Sequence, residues 1–265
     1  MNGSIIPLGP FELGLAASLL LLVGFLSWRL QMGVERRLLI AAVRAAIQLS
    51  LLGLVLAQLF NTLSPWLITL VASFMLAVAG YEVWSRQTYR LRGWWGYGTG
   101  TLSMLLSSVT IAVLTVQVIL QPQPWYHPQY LIPLLGMLLG NTMTGIAVAM
   151  DTLGRETWNR QGEVEARLML GDSANTAIAD IRRAALRAGL IPILNSMTTA
   201  GVVSLPGMMT GQILAGGDPM QAARYQMMIL FLIAAGTALG SASAVLIMSR
   251  RLFDQRDRLR LDHLH

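Results

Sequence analysis

Long apolar runs alternate with short arginine-bearing segments along this chain. Seven runs reach the roughly 20 residues that cross a hydrocarbon layer of about 30 Å. They lie near residues 11–28, 38–60, 66–84, 97–120, 131–150, 189–214 and 222–248. The pattern predicts an all-α integral membrane protein of about seven transmembrane helices, one permease domain over 1–265, with little room for a separate soluble domain. Before the last run, Gly216-Gly217-Asp218-Pro219 reads as a helix restart, with Asp218 as N-cap and Pro219 at the first helical position.

Charge gives the runs a direction. All 19 basic residues are arginine, and 17 fall in segments that an N-outside, C-cytoplasmic topology puts on the cytoplasmic side. Only Arg44 and Arg224 lie inside predicted spans. The amino terminus lacks a basic stretch ahead of its apolar run, which favours a retained first span over a cleaved signal peptide. The net charge of +6 is spread over these connectors and forms no phosphate-binding face, so nucleic acid is not an expected partner. Arg44 sits one helical turn before Gln48, near the inner edge of its span. It either snorkels to the interface or pairs with Gln48, or with Glu82 at the inner end of the third span.

Composition narrows the chemistry. With no lysine, the chain cannot hold the lysine of a phosphate-binding P-loop, so any ATP and Mg that drive it belong to a separate subunit. The absence of cysteine removes thiolate metal sites and cysteine nucleophiles. Three scattered histidines give no ligand spacing, apart from a possible tail chelate of Asp262, His263 and His265. No catalytic Ser-His-Asp order or paired intramembrane carboxylates occur, so an enzyme is not expected.

Two adjacent stretches stand out. Residues 155–188 are charged and carry Ala174, Ala177, Ile178, Ile181, Ala185 and Ala188 at helical spacing, after a break and cap at Gly171-Asp172-Ser173. This pattern fits a helix that docks on another protein and equally one that lies on lipid headgroups. Residues 189–214 are apolar but interrupted by Gly189, Pro192, Gly201, Pro206, Gly207 and Gly211. Interrupted intramembrane segments point to substrate paths, because freed backbone groups survive only inside protein or along a cavity. Asn195, Ser204, Pro206, Met208, Met209 and Gln212, with Asn141 and Thr144 of the fifth span, are the candidate path residues. Each could equally serve helix packing and interhelical hydrogen bonding.

Glu165-Ala166-Arg167, three residues, then Gly171, with Ile181 ten further on, resembles the EAA loop of ABC-importer permeases. The Leu-Pro that ends that pattern is replaced by Arg183-Ala184. The runs LMLGDSANTAIADIRRAALRAGLIP and VVSLPGMMTGQILAGGDPMQAARYQ, with VRAAIQLSLLG and GMLLGNTM earlier, resemble the iron-export ABC permease family of bacterial inner-membrane proteins, which has plant relatives linked to aluminium tolerance. The similarity covers nearly the whole chain. It implies an inner-membrane permease that exports a metal using a separate ATP-binding subunit, and a homodimer is the expected assembly. It also implies that Glu165, Gly171, Asp172, Ala174, Ile178 and Ile181 couple to that subunit. A secondary transporter or membrane sensor without an ATPase, and an organic substrate such as a sugar nucleotide, remain the alternatives.

Overall fold

A computed structural model describes residues 9–61 and 64–264; the amino-terminal reading above and His265 lie outside them. Among the described residues the chain is helical, with isolated bridges and no strands. The helices are α1 (Pro10–Arg29), α2 (Glu35–Asn61), α3 (Pro65–Ser85), α4 (Trp94–Met104), α5 (Thr110–Leu114), α6 (Pro128–Asn159), α7 (Gln161–Met169), α8 (Ala174–Ala177), α9 (Ala179–Thr199), α10 (Gly207–Leu214) and α11 (Pro219–Arg251). Two π-helical segments, Leu105–Val109 and Thr115–Leu120, make Trp94–Leu120 one helical rod through α4 and α5.

Six of these helical stretches are long and apolar enough to cross a membrane: Pro10–Arg29, Glu35–Phe60, Pro65–Ser85, Trp94–Leu120, Pro128–Asn159 and Pro219–Arg251. They match the predicted runs to within a few residues, except that α6 continues well past its apolar stretch. The protein is an all-α, multi-pass membrane protein. The remaining run, 189–214, is divided between α9 and α10, and its break differs from the expected one. Gly189 and Pro192 lie inside an unbroken α9. The chain leaves the helix at Ala200, turns through Gly201 at φ +80°, and resumes at Gly207. Gly189 stays helical because it is buried at a helix crossing, where packing overrides its weak propensity. The restart at α11 is as expected: the Asp218 carboxylate accepts from the Gln221 amide at 2.8 Å, with Pro219 first in the helix.

The described residues fall into two compact units. One contains α1 and α2 with Gly211–Gly217. Within it the Ser27 hydroxyl donates to Glu35 at 3.2 Å across the α1–α2 turn. The other runs from Ser64 to Thr210 and from Asp218 through the tail. Its centre is α6, α9 and α11, with α3 and α4 packed alongside. Small residues set the crossing. A Cβ on Gly189 would lie 2.7 Å from the Gly145 carbonyl oxygen and 2.9 Å from the Ala149 methyl, and one on Gly145 would meet the Gly189 carbonyl at 2.7 Å. Close backbone approach over small residues is the main source of helix association in a bilayer, where burial of apolar side chains gains little.

Candidate functional site

In this second unit the arginine-bearing segments converge at one end. The linker after α3 reaches the end of α6, where the Thr88 amide donates to Asp151 at 2.6 Å and Tyr89 stacks on Trp158 with ring centroids 5.3 Å apart. Leu91 bridges to Leu264 of the tail, and Arg251 at the end of α11 lies 3.3 Å over the Trp95 ring. The Ala174 amide donates to Asp257 of the tail at 3.2 Å. Segments far apart in sequence therefore share one basic face.

The charged segment 155–188 builds a turn on that face. Gly171 adopts φ +97°, which favours glycine, and the Ser173 hydroxyl caps α8 by accepting from the Thr176 amide. The Arg167 guanidinium ties the turn together, donating to Asp172 at 3.0 Å and to Asp180 at 3.3 Å, while Arg183 also binds Asp180. The hydrogen bond from Arg183, then its charge, then Arg167 hold the Asp180 carboxyl below the usual carboxylate range. Arg160 clamps Glu163 at the start of α7, with contacts of 2.8 and 2.7 Å, and holds that carboxyl low in the same way.

The expected coupling residues divide between two roles. Glu165 and Gly171 are exposed, Asp172 and Ala174 are half-buried, and Ile178 and Ile181 are each 1% exposed. The two isoleucines anchor the segment in the body of the unit. The expected single helix over 174–188 is also interrupted: α8 is one turn long, and Ile178, at φ −97° and ψ 1°, separates it from α9. The sequence reading missed the tip itself. Met169 and Leu170 are 86% and 88% exposed at the end of α7. The available signal was two large apolar residues immediately before a Gly-Asp break in an otherwise charged stretch.

A second feature runs along α6. At about 100° per residue, Asn141, Thr144, Val148, Asp151 and Arg155 share one face. Asn141, Val148 and Arg155 are exposed, and Thr144 and Asp151 are half-buried. Gly145, which meets Gly189 of α9, and Gly154, which meets Tyr89 beyond α3, lie on either side of this stripe. From α3, Arg86 reaches it, donating to the Thr144 hydroxyl at 3.4 Å and lying 3.7 Å from Glu82. Arg155 lies 3.9 Å from Asp151. The exposed Asn141 side chain bonds back through its amide nitrogen to the Met137 carbonyl at 2.8 Å. Polar groups exposed along a spanning helix belong against water or protein, not lipid.

The other candidate path residues lie elsewhere. Asn195 is exposed on α9, where Ser196, Thr198 and Thr199 turn their hydroxyls onto carbonyls of their own helix. Ser204 and Pro206 sit in the turn, and Met208, Met209 and Gln212 are half-buried on α10. Arg44 and Gln48 are exposed on α2, beside a groove of about 500 Å³ formed with Leu39, Ile40, Val43 and Ile47. No group of three or more His, Asp or Glu side chains able to hold a metal forms among the described residues. The suggested tail chelate needs His265, which lies outside them; Asp262 pairs with Arg260 at 2.7 Å.

A family model described as an uncharacterised protein family, UPF0014, matches residues 10–253. The chain belongs to the UPF0014 family. It is 39% identical over 237 residues to the UPF0014 membrane protein slr1647 of Synechocystis, covering 89% of this chain and 90% of that one. It is 30% identical over 249 residues to the probable iron export permease protein FetB of Escherichia coli, covering 94% and 93%. With the protein named ALUMINUM SENSITIVE 3 of Arabidopsis thaliana it shares 33% identity over 229 residues, 86% of this chain and 82% of the other. No solved structure matches. The resemblance read from SLPGMMTGQILAG and the GDSANTAIADIRRA run thus led to the right family, and the protein is a UPF0014 membrane permease.

Proposed function

We propose that this permease is the membrane subunit of an ABC exporter that moves a metal ion, iron foremost, out of the cell, working as a homodimer with separate ATP-binding subunits. The iron comes from the relative named as a probable iron export permease. The missing lysine supports a separate motor, since this sequence offers no P-loop lysine of its own. The basic face of the second unit is then cytoplasmic, by the excess of arginine on that side.

The observation that carries the reading is the tip at Met169 and Leu170, two nearly fully exposed apolar side chains on a turn held by Arg167, Asp172 and Asp180. A surface of this kind suits a hydrophobic anchor entering a pocket on a partner. The turn leads directly into α8 and continues through Ile178 into the rigid α9. Force applied at the tip therefore passes to the Gly189–Gly145 crossing and to the α6 stripe beside it. The stripe's oxygens from Asn141, Thr144 and Asp151 offer hard ligands along a path, suited to a passing cation more than to a fixed centre.

The test is Leu170→Asp in the permease reconstituted with its P-loop ATPase partner. ATP-driven iron efflux from vesicles should fall about tenfold, the effect of losing roughly 1.4 kcal/mol of docking. Membrane insertion should be unchanged. Since the chain has no cysteine, Leu170→Cys also gives a single labelling site. Labelling from the periplasmic side, or full efflux by the Asp variant, overturns the proposal.

A further inference from the structure

A cavity of about 930 Å³ opens where α3 ends and α4 begins, lined by Tyr81, Trp84, Arg90, Arg92, Trp94 and Tyr97 among others. We infer that it binds the phosphate-bearing headgroup of an anionic phospholipid from the leaflet on the basic face. No residue of the coupling turn or of the α6 stripe lines it, although its lining residue Thr88 is bonded to Asp151 of the stripe.

Depth is the first reason. The 21 residues of α3 span about 32 Å at 1.5 Å per residue, nearly the thickness of the hydrocarbon layer. Its last turn and the linker that follows therefore lie at headgroup level. The aromatic residues agree, since Trp and Tyr concentrate at membrane–water interfaces. Trp94 is 85% exposed and Tyr81 is exposed as well, while the Tyr97 hydroxyl donates to the Ala77 carbonyl at 3.1 Å and fixes the wall.

Charge is the second reason. Arg86, Arg155, Arg160, Arg167, Arg183, Arg258 and Arg260 each pair with a carboxylate. Arg90 and Arg92 do not among the described residues, and no acidic side chain lines the cavity. Arg90 is nevertheless held in place: its Nε donates to the Gln87 carbonyl at 3.0 Å, and its guanidinium lies 4.8 Å from the Trp84 ring centroid. The linker that carries both arginines is fastened by Thr88 to Asp151 and by Leu91 to Leu264. Guanidiniums present paired N–H donors that match phosphate oxygens, and basic pockets between membrane helices take anionic headgroups. The apolar walls from Leu91, Trp84 and Trp94 suit the start of the acyl chains.

The test compares retention of phosphatidylglycerol and phosphatidylcholine by the intact protein in neutral detergent, read by native mass spectrometry. Phosphatidylglycerol should be retained in preference. Arg92→Gln, a change at an exposed side chain with no hydrogen bond or ion pair among the described residues, should weaken this about fivefold, and Arg90→Gln/Arg92→Gln about thirtyfold. Arg187→Gln/Arg256→Gln removes the same charge from other exposed positions and should stay within about twofold. Equal retention of both lipids, or equal loss in the control pair, overturns the inference. So does glycerol phosphate competing as well as the whole lipid, which would make the site one for a soluble anion.

Discussion

The α1–α2 pair and the α6–α11 pair have nearly the same hydropathy and very different burial. On α2 only Leu59 near the end of the span is buried, and on α1 only Gly24 and Ser27 are. On α6 the buried positions run from Pro128 to Thr157 along a whole face. Apolar composition tells which stretches enter the bilayer; it does not tell which pack against one another. That second property follows small residues placed where backbones meet, as at Gly145 and Gly189. A Cβ on Gly14 or Gly53, in α1 and α2, would meet nothing within 4 Å among the described residues.

The sharpest way to break this contrast is to add bulk to each region. Gly189→Leu forces side-chain atoms into the Gly145 backbone and the Ala149 methyl, and overpacking of that kind costs about 3 kcal/mol. Gly53→Leu adds the same atoms to open space and should change stability by less than about 0.5 kcal/mol. Thermal unfolding in detergent should therefore show a large drop for the first and little for the second. Equal effects would mean that the crossing is not what holds the second unit together.

The same contrast explains what was legible in the sequence. Span positions followed from apolar length, and the Asp218-Pro219 start and the Gly171 break followed from local backbone chemistry, because each depends on a few adjacent residues. The continuity of α9 through Gly189 and Pro192 did not follow, since it is imposed by α6 and α11 from elsewhere in the chain. Ile178 and Ile181 were read as part of a coupling surface because helical spacing marks an apolar face without saying what that face meets. Arg155 was counted with the charged segment after the fifth span, and Asp151 was not singled out. In the structure α6 continues through them, and their alignment with Asn141 and Thr144 appears only once the helix is known to be unbroken to Asn159.

Polarity on an exposed helix face gives a second, smaller test of the two regions. Asn141 of α6 and Ser50 of α2 are both exposed within spanning helices. If the α6 stripe is a path, Asn141→Leu should slow iron efflux about tenfold, equivalent to roughly 1.4 kcal/mol. Ser50→Leu should leave it within about twofold. Similar losses in both variants would remove the distinction between a path and ordinary lipid-facing surface, as would normal efflux in the first.

The smallest effect concerns the clamp that holds the coupling turn to the start of α9. The Arg183 hydrogen bond, supported by Arg167, depresses the Asp180 pKa in the folded protein. A depressed carboxylate contributes stability above its unfolded pKa, and that contribution is lost as pH falls through the folded value. The turn should therefore keep its order from pH 8 down to about 4, the ordinary aspartate value, and loosen only at lower pH. A spin label on Leu170→Cys reports this directly. Its mobility should be flat across the neutral and mildly acidic range, whereas Asp180→Asn should raise it throughout that range because neither arginine then meets a charged partner there, the two proteins converging only at lower pH. Loosening between pH 7 and 5 in the parent would assign the order of the turn to another titrating group and remove Asp180 from the clamp.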